Sequence, residues 1–224
     1  MNPSRKDAPD RRSADARKGS ALSFLPSTNT HEAGRPLKAL DLTHADVMPS
    51  SDAEQPPTLH TSRLVLEPIT EVHASRLLAL VSDDRLYEYQ PHWLPNSFEE
   101  LRERFAIYST GRSRDGQHRQ FNWVVRRTDD DADVGMVQVT FLKEPKIGYQ
   151  TFVPYWKMGY AKEAVVAVLS CLKNQYGAKK VMTSVNAENV ASIALLESLG
   201  FARAGSEPAE DVEERSSYRY ERLL

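Results

Sequence analysis

The sequence predicts an α+β fold, a mixed α/β layer in which a mostly antiparallel sheet carries helices on both faces. Three observations point to it. Residues 120–127 and 135–142 are strand-like runs around the Asp-rich turn Thr128-Asp129-Asp130-Asp131-Ala132-Asp133, and a third run at 147–153 follows closely. Two helical patterns precede this block and two follow it. Between residues 153 and 164 the chain passes abruptly from an extended apolar run into an amphipathic helix.

The elements follow in order. Residues 63–67 read as a strand, after which Thr70 is expected to cap a helix with Val72, Leu77, Leu78 and Val81 on its inner side. Ser97 and Glu100 form a capping box for a second helix running through Leu101, Phe105 and Ile107 to a stop at Gly111. The strands at 120–127 and 135–142 pair as a hairpin, and the strand at 147–153 leads into the next helix. There Ala161, Ala164, Val165, Val168, Leu169, Leu172 and Tyr176 recur at three- and four-residue steps before Gly177. Residues 180–185 are a buried-looking strand. Asn189 caps a last helix with Ile193, Leu196 and Leu199 turned inward, and residues 201–204 and 218–223 finish the sheet. This gives about seven strands with a helical pair on each side, and no internal repeat.

Residues 1–58 read as a disordered N-terminal tail. Pro3, Pro9, Pro26, Pro36, Pro49, Pro56 and Pro57 fall there, Phe24 is its aromatic residue, and charges of both signs are scattered without period. Such a segment buries too little apolar area to offset its ordering entropy. Asp7, Asp10 and Asp15 among Arg11, Arg12, Arg17 and Lys18 argue against a transit peptide. Residues 59–224 then form one domain, and a 224-residue chain is long enough for a full core. Lysine and arginine total 29 against 31 acidic residues, for a net charge of -2, so composition makes no general demand for nucleic acid or anionic lipid. The single cysteine, Cys171, excludes an internal disulfide and lies in a helical apolar stripe, which favours a packed thiol. No apolar run reaches the roughly 20 residues of a membrane span. A cytoplasmic location is expected, with no nucleic-acid or membrane partner.

The first amides of a helix lack internal partners and carry the positive end of its dipole, so they suit a phosphate. Gly159 lets such a group approach the backbone, and Ala161 keeps the same surface low. The stretch Val153-Pro154-Tyr155-Trp156-Lys157-Met158-Gly159-Tyr160-Ala161-Lys162-Glu163-Ala164 resembles motif A of the GNAT superfamily of N-acetyltransferases. Residues 186–201, with Asn189 and Ser192 in Asn-x-x-Ser spacing and Leu199-Gly200-Phe201 at the end, are similar to motif B of the same family. Thr61-Ser62-Arg63-Leu64-Val65-Leu66-Glu67-Pro68 is similar to the opening strand of the RimJ/RimL-like branch, which acetylates protein N-terminal amines. The resemblance spans residues 60–224 in family order.

The resemblance implies acetyl-CoA as acyl donor, no metal, and a GNAT-like sheet splayed between its fourth and fifth strands, here residues 147–153 and 180–185. The pyrophosphate is expected on Lys157, Met158, Gly159, Tyr160, Ala161 and Lys162, and the pantetheine arm along Tyr149, Thr151, Phe152 and Val153. Asn189 matches a residue that contacts this arm in relatives, alongside its capping role, and Ser192 is expected among the coenzyme contacts with it. Three positions depart from the pattern: Lys146 stands where the branch often has Glu, Leu196 where many relatives have Tyr, and Lys157 where motif A commonly has glycine. Acid-base candidates are Ser192 for the departing thiolate, then Glu144, His92 and the loop residues Glu210 and Asp211. Tyr87, Tyr89 and Trp93 are expected to wall the acceptor pocket. The expected acceptor is a primary amine, on a peptide N-terminus or a small amino compound, and the protein is a monomer or homodimer. Two alternatives stay open: a catalytically reduced acyl-CoA-binding or partner-binding protein of this fold, and transfer of a different acyl group.

Overall fold

A computed structural model describes residues 55–89, 94–207 and 216–224. Its strands are β1 (Leu59–His60), β2 (Leu64–Pro68), β3 (Arg119–Arg127), β4 (Asp133–Phe141), β5 (Lys146–Thr151), β6 (Lys180–Asn186), β7 (Ala202–Glu207) and β8 (Ser217–Leu223). The helices are α1 (His73–Val81), α2 (Phe98–Tyr108), α3 (Tyr160–Tyr176) and α4 (Val190–Ser198). The strands form one eight-stranded sheet in the order β1-β2-β3-β4-β5-β6-β8-β7. Each neighbouring pair is antiparallel except β5 with β6.

Strand alternation sorts the core onto two faces. Phe121, Trp123 and Val125 of β3, Val137 and Val139 of β4, and Ile147 and Tyr149 of β5 pack with α3 and α4. Val124 and Met136, from the intervening positions, pack with α1 and α2. From Ala164 to Tyr176 the helical stripe of α3 is buried as its spacing predicts, Cys171 included, while Ala161 is half-buried; burial pushes the Cys171 thiol's pKa up to about 11.

Several local expectations are corrected. Val72 does not face the core: it is 73% exposed and precedes α1 as an N-cap without a side-chain cap. Thr70 does not cap in the ordinary way either. The His73 ring turns back, its Nδ1 lying 2.9 Å from the Thr70 amide and 2.8 Å from its hydroxyl. Ser97 does cap α2, accepting from the Glu100 amide at 3.1 Å, while the Glu100 carboxylate reaches back to the Asn96 amide. The sheet gains β1, whose Leu59 pairs with Leu66. Of the tail expected at 1–58, residues 1–54 lie outside the described residues, whereas Pro56 is buried and the Pro57 carbonyl accepts from Trp123 Nε1 at 2.8 Å.

Arg76 fastens α1 to the sheet, its guanidinium 2.6 Å from Glu67 of β2 and 2.6 Å from Asp133 of β4. Where β4 meets β5, Gly135 pairs with Thr151, and a Cβ built there would stand 2.3 Å from the Gln150 carbonyl oxygen. The obstacle is backbone, so the strands themselves must separate to admit a methyl group. Gly135→Ala is expected to lower unfolding free energy by about 3 kcal/mol, near the upper end for overpacking, as read by urea denaturation.

Candidate active site

The candidate site lies where β5 and β6 part. They meet at one register pair, Lys146 opposite Met182. The Met182 amide donates to the Pro145 carbonyl at 2.9 Å, and the Thr183 hydroxyl donates to the Ile147 carbonyl at 2.8 Å. Beyond that junction the strands diverge toward their C-terminal ends, from which α3 and α4 depart.

Successive residues of a strand send their backbone groups to opposite sides. The Phe152 amide donates to Val134 on the β4 side at 2.8 Å, while the Ile147 carbonyl faces β6. By alternation Ile147, Tyr149 and Thr151 face the opening. The Thr151 carbonyl accepts from Trp156 Nε1 at 2.7 Å. Tyr149 is therefore the mid-strand residue whose amide and carbonyl both turn into the gap. Phe152, expected among the cofactor contacts, has its carbonyl accepting from the Tyr155 amide and its side chain 0% exposed, packed in the α1 and α2 core.

After β5, Val153–Tyr155 makes one 3-10 turn and the chain enters a loop with two left-handed residues, Lys157 (φ 63) and Gly159 (φ 82). Gly159 is the N-cap of α3 and provides no side-chain cap. The first helical bond runs from the Glu163 amide to the Gly159 carbonyl at 3.1 Å, so the amides of Tyr160, Ala161 and Lys162 have no carbonyl one turn back. Lys157, Met158, Gly159 and Lys162 are exposed, Ala161 is half-buried, and the Tyr160 ring is buried. A Cβ on Gly159 would meet only the Arg63 guanidinium, at 3.4 Å, so its dihedrals rather than crowding by the protein call for glycine. Lys157 is explained by the same geometry: it occupies a conformation that suits the glycine common in motif A.

The helix start is clamped to the turn before β2. Glu163 in the first turn of α3 accepts from the Thr61 hydroxyl at 2.6 Å, the Arg63 amide at 3.0 Å and Arg63 Nε at 2.7 Å. Burial alone would raise its carboxyl pKa, but the bonds from Thr61 and Arg63 outweigh burial and hold it below the usual range.

Across the gap, Asn189 caps α4 by accepting from the Ser192 amide at 3.0 Å. Asn189 is 1% exposed and Ser192 0%. Ser192 also neighbours the Tyr149 phenol, which burial pushes well above its ordinary pKa and Ser192 draws partly back. That hydroxyl is buried without a hydrogen bond of regular geometry. Sequence reasoning placed Tyr149 by its backbone and missed its phenol; strand alternation, which sends residues 147 and 149 to the α4 face, was the available signal.

The other candidates are dispersed. Glu144 stands beyond the closed end of the gap, 3.9 Å from Lys180, whose Nζ lies 3.3 Å from Glu221. Tyr87 is a core residue, 7% exposed, with its hydroxyl donating to the Val81 carbonyl at 2.7 Å. Tyr89 is half-buried, and the residues after it, including His92 and Trp93, lie outside the described residues, as do Glu210 and Asp211. On the α1 and α2 face, the sheet beside the gap carries neutral polar groups that the sequence reading passed over. Gln120 donates to Thr140 at 3.0 Å and Gln138 to Asn122 at 2.8 Å, and both pairs are buried.

The acetyltransferase (GNAT) domain family matches residues 63–202, more than half of the chain. The chain belongs to the GNAT family of acetyltransferases. Among curated proteins it is similar to the uncharacterized N-acetyltransferase YoaA of Bacillus subtilis (strain 168), at 28% identity over 153 residues, covering 66% of this chain and 85% of that one. It is also similar to the uncharacterized N-acetyltransferase p20 of Bacillus licheniformis, at 26% identity over 152 residues, 66% of this chain and 84% of that one. Among solved structures a GNAT acetyltransferase from Bacillus anthracis has a TM-score of 0.64 at 19% identity, over 75% of this chain and 98% of that one. RimL, a ribosomal L7/L12 α-N-protein acetyltransferase in complex with coenzyme A, has a TM-score of 0.63 at 16% identity, over 75% of this chain and 98% of that one. These two share the GNAT fold with the chain. Among the described residues no helix is long and apolar enough to cross a membrane.

Two outcomes follow from the loop geometry. Lys157→Gly removes a left-handed lysine and is expected to raise stability by about 1 kcal/mol in chemical denaturation. Because the folded Glu163 carboxyl titrates below its unfolded value, its contribution is present at neutral pH and lost as pH falls through the depressed folded value. Melting temperatures across an acid pH series are therefore expected to fall less steeply for Glu163→Gln than for the unmodified protein.

Proposed function

We propose that this GNAT protein transfers an acetyl group from acetyl-CoA to a primary amine by direct attack, with a protein N-terminus or small amino compound as acceptor. The observation that carries the reading is continuity: the opening at Tyr149 leads along β5 to the uncapped amides at the start of α3. A diphosphate suits those amides, since the helix dipole and the unpartnered donors both favour an anion. Lys157 and Lys162 add exposed positive charge at the same mouth. The RimL structure supports both parts, because that protein is a ribosomal L7/L12 α-N-protein acetyltransferase solved in complex with coenzyme A.

Acetyl-CoA supplies the activated acyl group. The chain's own backbone at Tyr149 offers a donor and an acceptor to an amide-bearing arm, as a neighbouring strand would. An amide donor on the carbonyl oxygen stabilises charge as it develops during attack. Ser192, at the capped start of α4 and beside the Tyr149 phenol, is the proposed proton source for the departing thiolate. This assignment replaces the tyrosine that relatives carry where this chain has Leu196. The amine must be neutral to attack, so turnover is expected to rise with pH toward the acceptor's own pKa, about 8 for a peptide N-terminus and about 10 for an alkyl amine.

The test is a thiol-release assay with acetyl-CoA against peptides of varied first residue, amino acids and polyamines, with acetylated products identified by mass spectrometry. Thiol release without any acetylated amine would overturn the proposal. Gly159→Glu puts an anion at the mouth and is expected to abolish coenzyme A binding by calorimetry while the circular dichroism spectrum stays native. Ser192→Ala is expected to lower kcat by about 100-fold with acetyl-CoA affinity retained. Unchanged kcat would remove Ser192 from the mechanism, whereas no turnover by the unmodified protein with coenzyme A still bound would favour the catalytically reduced reading.

A further inference from the structure

The Thr61-Ser62-Arg63 turn plays no part in the cofactor reading above, yet the Arg63 side chain reaches the loop that opens α3. Arg63 Nη1 donates to the Met158 carbonyl at 3.2 Å. Its Nε and Nη2 lie 2.7 Å and 2.6 Å from Glu163 Oε2. The guanidinium carbon stands 4.7 Å from the Tyr160 ring centroid, stacked on an aromatic side chain that is itself buried. A planar fork held by a carboxylate on one edge and a ring on its face has little freedom. Its remaining edge is committed to the loop.

A trans peptide unit points its carbonyl and its amide in opposite directions. No peptide bond among the described residues is cis. With the Met158 carbonyl drawn to Arg63, the Gly159 amide must turn away from Arg63. The neighbouring dihedrals do not enforce this by themselves, because Gly159 at φ 82 has no Cβ to resist rotation of the preceding peptide plane. An external fastener is needed, and Arg63 provides one.

We propose that Arg63 is a positioning residue for the acyl donor: by holding the Met158 carbonyl it fixes the Gly159 amide as a donor to the diphosphate. The inference rests on the loop being the diphosphate cradle. Arg63 acts here through the orientation of a backbone dipole, its own charge being balanced by Glu163. Loss of one oriented donor to a charged group is expected to weaken binding by about tenfold.

The experiment compares the unmodified protein with Arg63→Ala and Arg63→Lys, using acetyl-CoA and S-acetylpantetheine, a donor that lacks the diphosphate. For Arg63→Ala the KM for acetyl-CoA is expected to rise about tenfold with kcat within twofold, while the KM for S-acetylpantetheine stays unchanged. Arg63→Lys keeps one donor for the Met158 carbonyl and is expected to recover affinity to within about threefold of the unmodified protein. If Arg63→Ala does not fold, the lysine variant carries the test alone: a KM increase for acetyl-CoA and not for S-acetylpantetheine supports the proposal. Equal losses for both donors would assign Arg63 a merely structural role and overturn it. A loss for acetyl-CoA that vanishes at high salt would mark direct ionic contact and overturn it as well. If the unmodified protein bound coenzyme A and the variants bound equally well, only the Arg63 inference would fall. If the unmodified protein did not bind coenzyme A, the cradle reading would fall with it.

Discussion

A buried backbone amide or carbonyl needs a partner, and β5 does not receive one from β6 along its whole length. The two strands join at Lys146 and Met182, are tied once more through Thr183, and then separate. Tyr149 is left with a donor and an acceptor directed into the opening, while the opposite edge of β5 stays fully laddered to β4. Along that ladder, at Gly135, the backbones approach closely enough to exclude a side chain. The unmet hydrogen-bonding demand of one strand edge thus creates the feature from which the proposed chemistry follows.

The same logic governs the start of α3. A helix without a side-chain cap and preceded by two left-handed residues is a poor arrangement for stability alone. It is compensated from outside. Thr61, Ser62 and Arg63 all donate to Glu163, and Arg63 also reaches Met158, so the turn before β2 restrains a loop that lies far from it in sequence. The charges involved are largely balanced within the clamp, which leaves the exposed backbone dipoles and the side chains of Lys157 and Lys162 to set the local potential.

Much of this fold was legible in the sequence, for identifiable reasons. The apolar spacing of α3, the glycine at its end, and the Ser97 and Asn189 caps are local signals, and each gives the element it suggests. Thr70 misleads because the competing group, the His73 imidazole, acts back on it from the helix it was expected to open. The two-residue strand β1 carries too little periodicity to register. In the site, Gly159 and Asn189 could be read from spacing, since their work is done by the backbone near them. The pairing of Tyr149 with Ser192 could not, because it depends on how far β5 leans from β6 and on which residues of each strand face α4. Glu144 shows a related effect: β5 begins only at Lys146, which leaves Glu144 before the junction, in the company of Lys180.

The single β5–β6 pairing also has a mechanical meaning. On one side, β1 to β5 form an antiparallel plate; on the other, β6, β8 and β7 form a second. Within each plate most neighbouring strands share long ladders, whereas the plates share one register pair, the Thr183 bond to Ile147 and the packing of α3 and α4 beneath them. Under tension applied between the plates, that seam offers few backbone hydrogen bonds to share the load. The seam that joins the two plates thus coincides with the proposed path of the acyl donor.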